Sequence, residues 1–467
     1  MRTIICCFIL LFSTTGYAYS PIDYLPKGTR VGIAIDSSTN SPFTINGDQL
    51  FPPASTLKVI TALAAKLELG NDFRFITQVE AKGSDIIFRF SGDPTLTTQD
   101  LNALIQRLSA QGIKKIEGDI WLHNGIFSGY ERGVGWPWDI LGVCYSAPAS
   151  AITLDKNCVQ ASIYTKKDGS TRVYVPKHQP IIVSTEVKSV SKTTQKEMQC
   201  ELELTTFDNN QYLLSGCLLN RKKPLPLKFA VQETDIYTTE VLKRLLSEHN
   251  IQFSGNIRTS QKVNGNVIAT HSSETLPVLL ESMLKDSNNL IADNLTKTLG
   301  NHFFLHPGSF KNGTEAIKQI IYTQAGIDLR DAQFADGSGL SRNNRITAHD
   351  MSQVLNYILK NDADLNLLAM LPTAGKDGTL KYRQSMRKDP IKGHLQAKSG
   401  SLYGSYNMAG YSLDESGKPK ATFVQFVTDY YPEKRDDESN TTPAIFQFEK
   451  AFYRDLLNLT PENNSLP

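Results

Sequence analysis

Alternating apolar and polar residues predict strands near both ends of this chain. Val31, Ile33 and Ile35 fall on one side of an early extended segment. Two segments near the other end, residues 406–413 and 421–428, also have the composition of strands. If one sheet contains strands from both ends of the chain, the middle of the chain must leave that sheet and return to it.

Three further segments carry apolar residues at helical spacing. Residues 276–285 and 290–299 predict two helices separated by a short polar turn, and Gly300 is expected to end the second of them. Residues 442–457 predict a closing helix. The polar turn is therefore expected to be held by a helix on either side.

The long stretch between residues 76 and 271 changes character along its length. Residues 99–110 are amphipathic, residues 173–187 and 200–217 are strand-like, and residues 189–196 are polar and loop-like. This content predicts one or two β-rich domains inserted into the rest of the chain.

The first residues read as a secretory signal. Arg2, an apolar run over residues 4–12 and the small-residue pattern Gly16-Tyr17-Ala18 predict a signal peptide that ends at residue 18. The run of roughly 10 residues is shorter than the ~20 that a transmembrane helix needs. No later stretch without charges is long enough either. The protein is therefore expected to be exported and to lack a transmembrane segment.

Length, charge and cysteines narrow the choice of function. The chain has 467 residues, which predicts two or three domains, and a net charge of +2, which disfavours nucleic acid as a partner. Outside the signal it has four cysteines, Cys144, Cys158, Cys200 and Cys217. Disulfides are expected in an exported chain, with three connectivities open; the pairing in sequence order closes two loops of about 15 residues. A zinc site is the alternative, but no Cys-x2-Cys spacing is present.

Ser55 and Lys58 have the Ser-x-x-Lys spacing of an acylating serine site. Three other serines show the same spacing, Ser189, Ser282 and Ser385. Only Ser55 opens a clear helix, with its apolar face and its stop at Leu57, Ile60, Leu63, Ala64, Leu67 and Gly70. Residues i and i+3 share a helix face, so Lys58 can reach the Ser55 hydroxyl, and the helix N-terminus favours negative charge there. Lys58 can act as a base only if burial or a second cation lowers its pKa.

Ser287 and Asn289 form a Ser-x-Asn motif in the polar turn between the two predicted helices. The Ser287 hydroxyl can relay a proton to a leaving amine. The Asn289 amide can hold either Lys58 or the substrate backbone. Because Ser-x-Asn is common, helix capping is the alternative interpretation.

Lys398, Ser399 and Gly400 form the only Lys-[Ser/Thr]-Gly sequence in the chain and are expected on an edge strand. Lys398 and the Ser399 hydroxyl can bind a carboxylate and, at Gly400, the substrate backbone can approach closely. Lys398 is also the second cation that could lower the pKa of Lys58. The backbone N–H groups of Ser401 and Ser55 together predict an oxyanion hole.

With these motifs placed, the chain resembles the low-molecular-mass class C penicillin-binding proteins, a family of D-alanyl-D-alanine carboxypeptidases and endopeptidases. The resemblance runs nearly end to end, and the long insertion after Ser-x-x-Lys is also typical of the family. Its further signatures are Pro53-Ala54-Ser55, Gly92-Asp93-Pro94-Thr95-Leu96, Gly135-Trp136-Pro137-Trp138, Ser146-Ala147-Pro148 and Asp336-Gly337-Ser338-Gly339-Leu340-Ser341-Arg342.

The resemblance implies an α+β fold with a β-lactamase/transpeptidase-like serine acyltransferase domain, an antiparallel sheet plus a helical cluster. Residues 22–75 and 272–467 would form this domain, and residues 76–271 an insertion of two domains, one nested in the other. It further implies a periplasmic enzyme, soluble or peripherally bound to the membrane, that acts on peptidoglycan stem peptides. β-Lactams would be its covalent inhibitors, no metal or cofactor is expected, and a homo-oligomer is left open.

By the same resemblance, Ser55 is the nucleophile, Lys58 its base, Ser287 and Asn289 the second catalytic motif, and Lys398 the anchor for the terminal D-Ala carboxylate.

The family also reads the diaminopimelate side chain of the stem peptide. The matching positions here are Arg342, Tyr145 and an acid near Asp139. Two departures from the family pattern stand out. The third motif is Lys-Ser-Gly in place of Lys-Thr-Gly, which keeps the hydroxyl, and Tyr403 stands where a glutamine is expected.

Two other functions compete with this one. A serine β-lactamase shares the fold and the acylation step, but Glu315 is followed by Ala-Ile-Lys-Gln, not by the Glu-x-x-x-Asn pattern of one such class, and Ser287 does not match the Tyr-x-Asn of another. A non-hydrolytic β-lactam sensor or wall-binding scaffold is a different class of function. Sensors usually carry transmembrane helices, and a dead scaffold is expected to lose a motif residue.

Overall fold

The computed structural model describes residues 19–37, 40–431 and 442–459, so the predicted signal peptide lies outside the described residues. The strands are β1 Arg30–Ser37, β2 Asn40–Ile45, β3 Leu50–Phe51, β4 Ile76–Lys82, β5 Asp85–Arg89, β6 Lys115–Ile116, β7 Ile120–His123, β8 Cys158–Thr165, β9 Thr171–Tyr174, β10 Ile182–Thr185, β11 Lys188–Val190, β12 Leu202–Phe207, β13 Gln211–Leu219, β14 Leu225–Ala230, β15 Gln252–Phe253, β16 Ile257–Ser260, β17 Asn266–Ser272, β18 Ile346–Thr347, β19 Leu395–Leu402, β20 Ser405–Leu413 and β21 Pro419–Thr428.

The α-helices are α1 Leu57–Leu69, α2 Thr98–Ala110, α3 Lys192–Met198, α4 Thr234–Glu248, α5 Leu276–Lys285, α6 Asn289–Phe304, α7 Phe310–Ile320, α8 Ala348–Lys360, α9 Asp362–Leu365 and α10 Ala444–Leu457. Short 3-10 turns that matter for the site are Ala54–Thr56, Trp138–Ile140 and Cys144–Ser146.

One five-stranded sheet collects both ends of the chain, as the sequence predicts. Its order is β19-β20-β21-β1-β2, and its neighbours pair antiparallel. Strand β1 divides its side chains between the two faces, because successive residues of a strand point to opposite sides. Ile33 and Ile35 pack toward α10, whereas Ala34 packs toward the helical cluster. The sheet is therefore buried on both faces.

The helical cluster covers one face of this sheet. Apolar side chains of α1, α5, α6, α7 and α8 form one core with Ala409, Tyr411, Val424 and Phe426 of the sheet. Helix α1 ends at Gly70, whose φ of 74° is a left-handed conformation that favours glycine. Helices packed beside an antiparallel sheet confirm the predicted α+β class.

The inserted segment begins and ends on neighbouring strands. Strand β4 pairs antiparallel with β17 inside a sheet of order β16-β7-β5-β4-β17. The smaller sheets β14-β8-β9 and β10-β13-β11, with β12 beside β13, come from the chain between those strands. All three sheets share one apolar core with α2 and α4. Disulfides join Cys144 to Cys158 and Cys200 to Cys217, one of the three connectivities left open above.

Two local predictions were wrong. Residues 189–196 are not a loop: Lys188–Val190 pairs parallel with β13, and the Ser191 side chain accepts a hydrogen bond from Thr194 N and starts α3. Gly300 does not end a helix, since α6 continues to Phe304. A Cβ at Gly300 would lie 2.4 Å from Asn312 Oδ1, so this glycine allows α7 to pack closely on α6.

Candidate active site

Ser55 lies in a tightly held turn at the start of a buried helix. The turn Ala54–Thr56 leads directly into α1, and Ala54 has a φ of 49°, which is strained for a residue with a Cβ. Thr56 Oγ1 donates to Pro53 O at 2.7 Å, and Asn407 Nδ2 of strand β20 donates to Pro52 O at 2.7 Å. These bonds fix the turn to the sheet and leave Ser55 partly exposed.

Lys58 is fully buried one turn after Ser55. Its Nζ lies 3.0 Å from Ser55 Oγ, 2.6 Å from Asn289 Oδ1 and 2.6 Å from Ser338 O. Burial lowers the pKa of Lys58 to about 8, against the charges of Asp293 and Asp336, which act to raise it. A lysine with this pKa is partly neutral near neutral pH, so it can accept a proton from Ser55.

The Ser-x-Asn motif lies where helix α5 turns into α6. Ser287 has a φ of 58°, and its Oγ accepts a hydrogen bond from Lys398 Nζ at 2.9 Å. Asn289 accepts from Lys58 and donates through Nδ2 to Tyr145 O at 2.7 Å. The middle residue of the motif, Asn288, caps α6, because its Oδ1 accepts from Ile291 N at 3.2 Å. Ser287 is thus not the cap of α6.

Lys398 lies on β19, the edge strand of the five-stranded sheet, as the sequence predicts. Its buried Nζ donates to Ser287 Oγ and, at 2.8 Å, to Ser399 O. Burial lowers the pKa of Lys398 well below its usual value, and the charge on Lys58 lowers it further. Ser399 Oγ lies 2.8 Å from Thr379 Oγ1. Lys58 and Lys398 thus lie in one cleft with the hydroxyls of Ser55 and Ser287.

Gly400 is needed for a reason that the sequence does not reveal. A Cβ at this position would lie 2.7 Å from Pro53 O and 2.9 Å from the backbone nitrogens of both Ser55 and Thr56. The strand therefore approaches the turn that carries Ser55 so closely that a side chain does not fit. Ser401 follows on the same strand and is exposed.

The sequence analysis missed the groups behind Lys58. Ser338 was considered only as a rival nucleophile, yet its backbone oxygen contacts Lys58, and its Oγ accepts from Leu340 N at 3.3 Å. Gly339, with a φ of 81°, approaches the nucleophile turn: a Cβ there would lie 1.8 Å from Ala54 O. A signal for one of these groups was present in the sequence. Asp293 follows Asn289 by one turn of α6, a helix that is buried from Leu290 to Gly300.

The residues expected to bind the stem-peptide side chain, Arg342, Tyr145 and Asp139, are exposed at the surface. Arg342 Cζ lies 6.0 Å from the centroid of the Tyr403 ring. Tyr145 is 54% exposed, and partial burial together with the charge of Asp139 raises its pKa. The exposed Tyr403 ring also lies 5.1 Å from that of Tyr431.

Within residues 19–37, 40–431 and 442–459, histidine, cysteine, aspartate and glutamate form no group that could hold a metal ion. In the same part of the chain no helix combines the length and the apolar character required to cross a membrane.

The cleft joins a serine at a helix start, a buried lysine one turn later and a second buried lysine on an edge strand. This is the arrangement of serine acyl-transfer enzymes that use lysine in place of histidine. Residues 23–452 match the D-Ala-D-Ala carboxypeptidase 3 (S13) family, and the chain belongs to this family.

Individual relatives cover almost the whole chain. The chain is 38% identical over 445 residues to the D-alanyl-D-alanine carboxypeptidase DacB of Haemophilus influenzae, which is 92% of each protein. The crystal structure of penicillin binding protein 4 (dacB) from the same organism aligns with a TM-score of 0.87 at 37% identity, over 94% of this chain and 99% of that one. The same protein complexed with a novel β-lactam aligns with a TM-score of 0.82 at 36% identity, with the same coverage. These matches confirm the predicted fold and family.

Proposed function

We propose that this protein is a serine-type D-Ala-D-Ala carboxypeptidase that cleaves peptidoglycan stem peptides through an acyl-enzyme on Ser55. The observation that carries the proposal is the 3.0 Å contact between Ser55 Oγ and the buried Lys58 Nζ, with Lys398 held beside it by Ser287. The curated relative named above is a D-alanyl-D-alanine carboxypeptidase, which supports the same activity for this chain.

Acylation begins with a proton transfer to Lys58. The neutral amine takes the proton of the Ser55 hydroxyl, and Ser55 Oγ attacks the carbonyl carbon of the penultimate D-Ala. Negative charge then develops on the carbonyl oxygen, which the backbone N–H groups of Ser55 and Ser401 are proposed to stabilise. Because the pKa of Lys58 is about 8, the neutral base becomes more abundant as the pH rises through that value.

The leaving D-Ala requires a proton and an anchor for its carboxylate. Ser287 is proposed to pass a proton to the leaving amine, while Lys398 and the Ser399 hydroxyl bind the terminal carboxylate. Water then hydrolyses the ester on Ser55 and releases the shortened peptide. A β-lactam is expected to acylate Ser55 in the same way, because its ring amide takes the place of the D-Ala-D-Ala bond.

Specificity for the stem peptide is proposed to lie with Arg342, Tyr145 and Asp139. Arg342 and Asp139 carry opposite charges, which suits a side chain that ends in both a carboxylate and an ammonium group, as that of diaminopimelate does. Tyr403 takes the place of the family's glutamine and contacts Arg342 through its ring.

Cleavage of cross-linked peptides is a second candidate activity. A cavity of about 680 Å³ opens beside Ser287 and Asn289 and is also lined by residues of the inserted segment, among them Leu204 and Lys228. Its volume is within the range of ligand sites and leaves room for a peptide beyond the cleaved bond.

Location and domain organisation complete the proposal. The signal peptide proposed for residues 1–18 would deliver the protein to the periplasm. We also propose that residues 22–75 and 272–467 form the catalytic unit, and that residues 76–271 form an inserted segment of two nested domains. The pairing of β4 with β17 supports this boundary, because it brings the two ends of the inserted segment together.

Intact-mass spectrometry with benzylpenicillin tests the proposal. Wild-type protein is expected to gain the mass of one penicilloyl group and to release D-Ala from a pentapeptide, and Ser55→Ala is expected to do neither. Ser282→Ala is the matched control, because Ser282 has the same spacing to a lysine but lies on α5 and contacts Asp286. It should behave like wild type.

The other outcomes distinguish the competing functions. An adduct without D-Ala release would favour a β-lactam sensor, and rapid penicillin turnover would favour a β-lactamase. An adduct that persists in Ser55→Ala would overturn the assignment of the nucleophile.

A further inference from the structure

Asp293 is a fully buried carboxylate that holds the peptide behind Lys58. It lies one turn after Asn289 on α6, and its Oδ1 accepts hydrogen bonds from Gly337 N at 3.1 Å and from Ser338 N at 2.9 Å. On the other side, Thr61 Oγ1 of helix α1 donates to Gly337 O at 2.8 Å. The Gly337–Ser338 backbone is therefore fixed from two helices, so the direction of the Ser338 carbonyl is fixed as well.

The direction of that carbonyl decides how neutral Lys58 is oriented. A neutral amine has two N–H donors and one lone pair. Ser338 O and Asn289 Oδ1 are both carbonyl oxygens, which can only accept, and each lies 2.6 Å from Lys58 Nζ. With both N–H groups bound to them, the lone pair is left for the third neighbour, Ser55 Oγ at 3.0 Å.

We propose that Asp293 is a positioning residue for the base: through the Gly337–Ser338 backbone it aims the Lys58 lone pair at Ser55, and its carboxyl group acts electrostatically on the Lys58 amine. This inference rests on the proposed function, because it takes Lys58 to be the base of acylation.

The charges around Lys58 come from three elements. Asp293 lies on α6, Lys398 lies on β19, and Asp336 precedes the Gly337–Ser338 peptide; Lys297, also on α6, interacts with Asp293. Asp293 and Asp336 act to raise the pKa of Lys58. Burial raises the pKa of Asp293 well above its usual value, as does Asp336, while Lys58 acts to lower it. Burial lowers the pKa of Lys297 to about 8, against the charges of Glu131 and Asp293.

One carboxylate oxygen of Asp293 makes the test possible. Its Oδ2 is buried and has no hydrogen-bond partner, while Oδ1 accepts both backbone donors. In Asp293→Asn the amide oxygen can keep both bonds, so the substitution removes the charge and leaves the support of the peptide in place.

Asp93 provides a matched control in the inserted segment. It is also buried, its Oδ1 accepts from Thr95 N and Thr95 Oγ1, and its Oδ2 likewise has no hydrogen-bond partner, with His271 Nε2 3.7 Å away. Asp93→Asn makes the same chemical change, but Asp93 is not among the charges that act on Lys58.

The experiment measures the second-order rate constant of acylation by a fluorescent penicillin from pH 6 to pH 10, with thermal melting as a check of folding. In wild type the rate should rise with pH through about 8, since only neutral Lys58 accepts the proton. Asp293 acts to raise the pKa of Lys58, so replacing its carboxyl group by an amide removes an interaction that favours protonated Lys58. The midpoint of Asp293→Asn should therefore move to lower pH, by about one unit, while the plateau stays within about threefold. Asp93→Asn should match wild type.

A second variant tests the positioning by itself. Thr61→Val removes the donor to Gly337 O and keeps every charge, so the plateau should fall several-fold at an unchanged midpoint. Thr61→Val also tests the inference if Asp293→Asn does not fold. An unshifted midpoint in folded Asp293→Asn, an equal shift in Asp93→Asn, or an unchanged plateau in Thr61→Val would overturn the inference. Failure of the proposed function looks different, because wild type would then not be acylated at any pH.

Discussion

The two proposed units of the chain, the catalytic unit (residues 22–75 and 272–467) and the inserted segment (residues 76–271), are stabilised in different ways. The catalytic unit buries the ionisable side chains of Lys58, Lys398, Asp293 and Asp336 and contains no cysteine between residues 19 and 75 or after residue 271. The inserted segment contains both disulfides, Cys144–Cys158 and Cys200–Cys217. Ionisable groups are thus buried where the chemistry is proposed, and covalent links occur in the segment that is divided among several sheets.

The two units also differ in how their sheets are packed. The main sheet of the catalytic unit is packed on both faces, by the helical cluster and by α10, and so has a large core around the cleft. Buried charges are costly unless they are paired and hydrogen-bonded, and each of these charges has such partners. The inserted segment divides its chain among several sheets around one shared core, and a disulfide adds about 3 kcal/mol there.

The largest effect is expected when a buried charge in the cleft is removed. Lys398→Met keeps an unbranched side chain of similar length but loses the contact with Ser287 and the proposed anchor for the substrate carboxylate. Electrostatic groups of this kind contribute about 100- to 1,000-fold to rate. We expect penicillin acylation and D-Ala release to fall by about that factor, as measured by stopped-flow fluorescence and by assay of free D-Ala.

Lys66→Met is the matched control for this prediction. Lys66 is also buried, lies on the helix that carries Lys58 and bonds to Asn71 Oδ1 at 2.6 Å, away from the cleft. The acylation rate of Lys66→Met should stay close to that of wild type. If Lys66→Met loses as much activity as Lys398→Met, the effect reports lost stability and the role of Lys398 is wrong.

An intermediate effect is expected when the two disulfides are removed separately. Each bond closes a loop of similar length, so Cys144→Ser/Cys158→Ser and Cys200→Ser/Cys217→Ser should each lose about 3 kcal/mol of stability in thermal or urea unfolding. Only the first pair lies next to the cleft, because Cys144 precedes Tyr145, whose carbonyl accepts from Asn289 Nδ2 at 2.7 Å.

Acylation rates separate the two disulfides. The Cys144/Cys158 variant is expected to slow several-fold, because Asn289 loses a fixed partner, and the Cys200/Cys217 variant should remain at the wild-type rate. Equal rates in both variants would show that the inserted segment does not position the second motif.

The smallest effect in free energy is expected from a substitution at the surface of the cleft. Arg342→Gln removes a proposed contact with the carboxylate of the stem-peptide side chain, which should lower kcat/KM about tenfold for a diaminopimelate pentapeptide. Benzylpenicillin lacks that side chain, so its acylation rate should change by less than about twofold. A lysine-containing pentapeptide is the matched substrate, and an equal loss on both peptides would argue against this assignment.

Local predictions from the sequence succeeded where one element determines the outcome. The strand at Val31, Ile33 and Ile35 and the helix stop at Gly70 depend on side-chain alternation and backbone conformation alone. The prediction at Gly300 failed because its neighbour is Asn312 of another helix. The loop predicted at residues 189–196 was wrong for a similar reason, since Lys188–Val190 is a strand only because β13 lies beside it.

The sequence by itself determined the reactive pair. Ser55 and Lys58 are three residues apart on one helix, and the helical repeat brings them together whatever surrounds them. Only the tertiary structure decided which groups act on Lys58. Its partners Asn289 and Ser338 are 231 and 280 residues away along the chain, and periodicity within a segment holds no information about contacts over such distances. The packing of α6 against α1 brings Asn289 and Asp293 toward Lys58 and helps to bury it, and this burial lowers its pKa to that of a base.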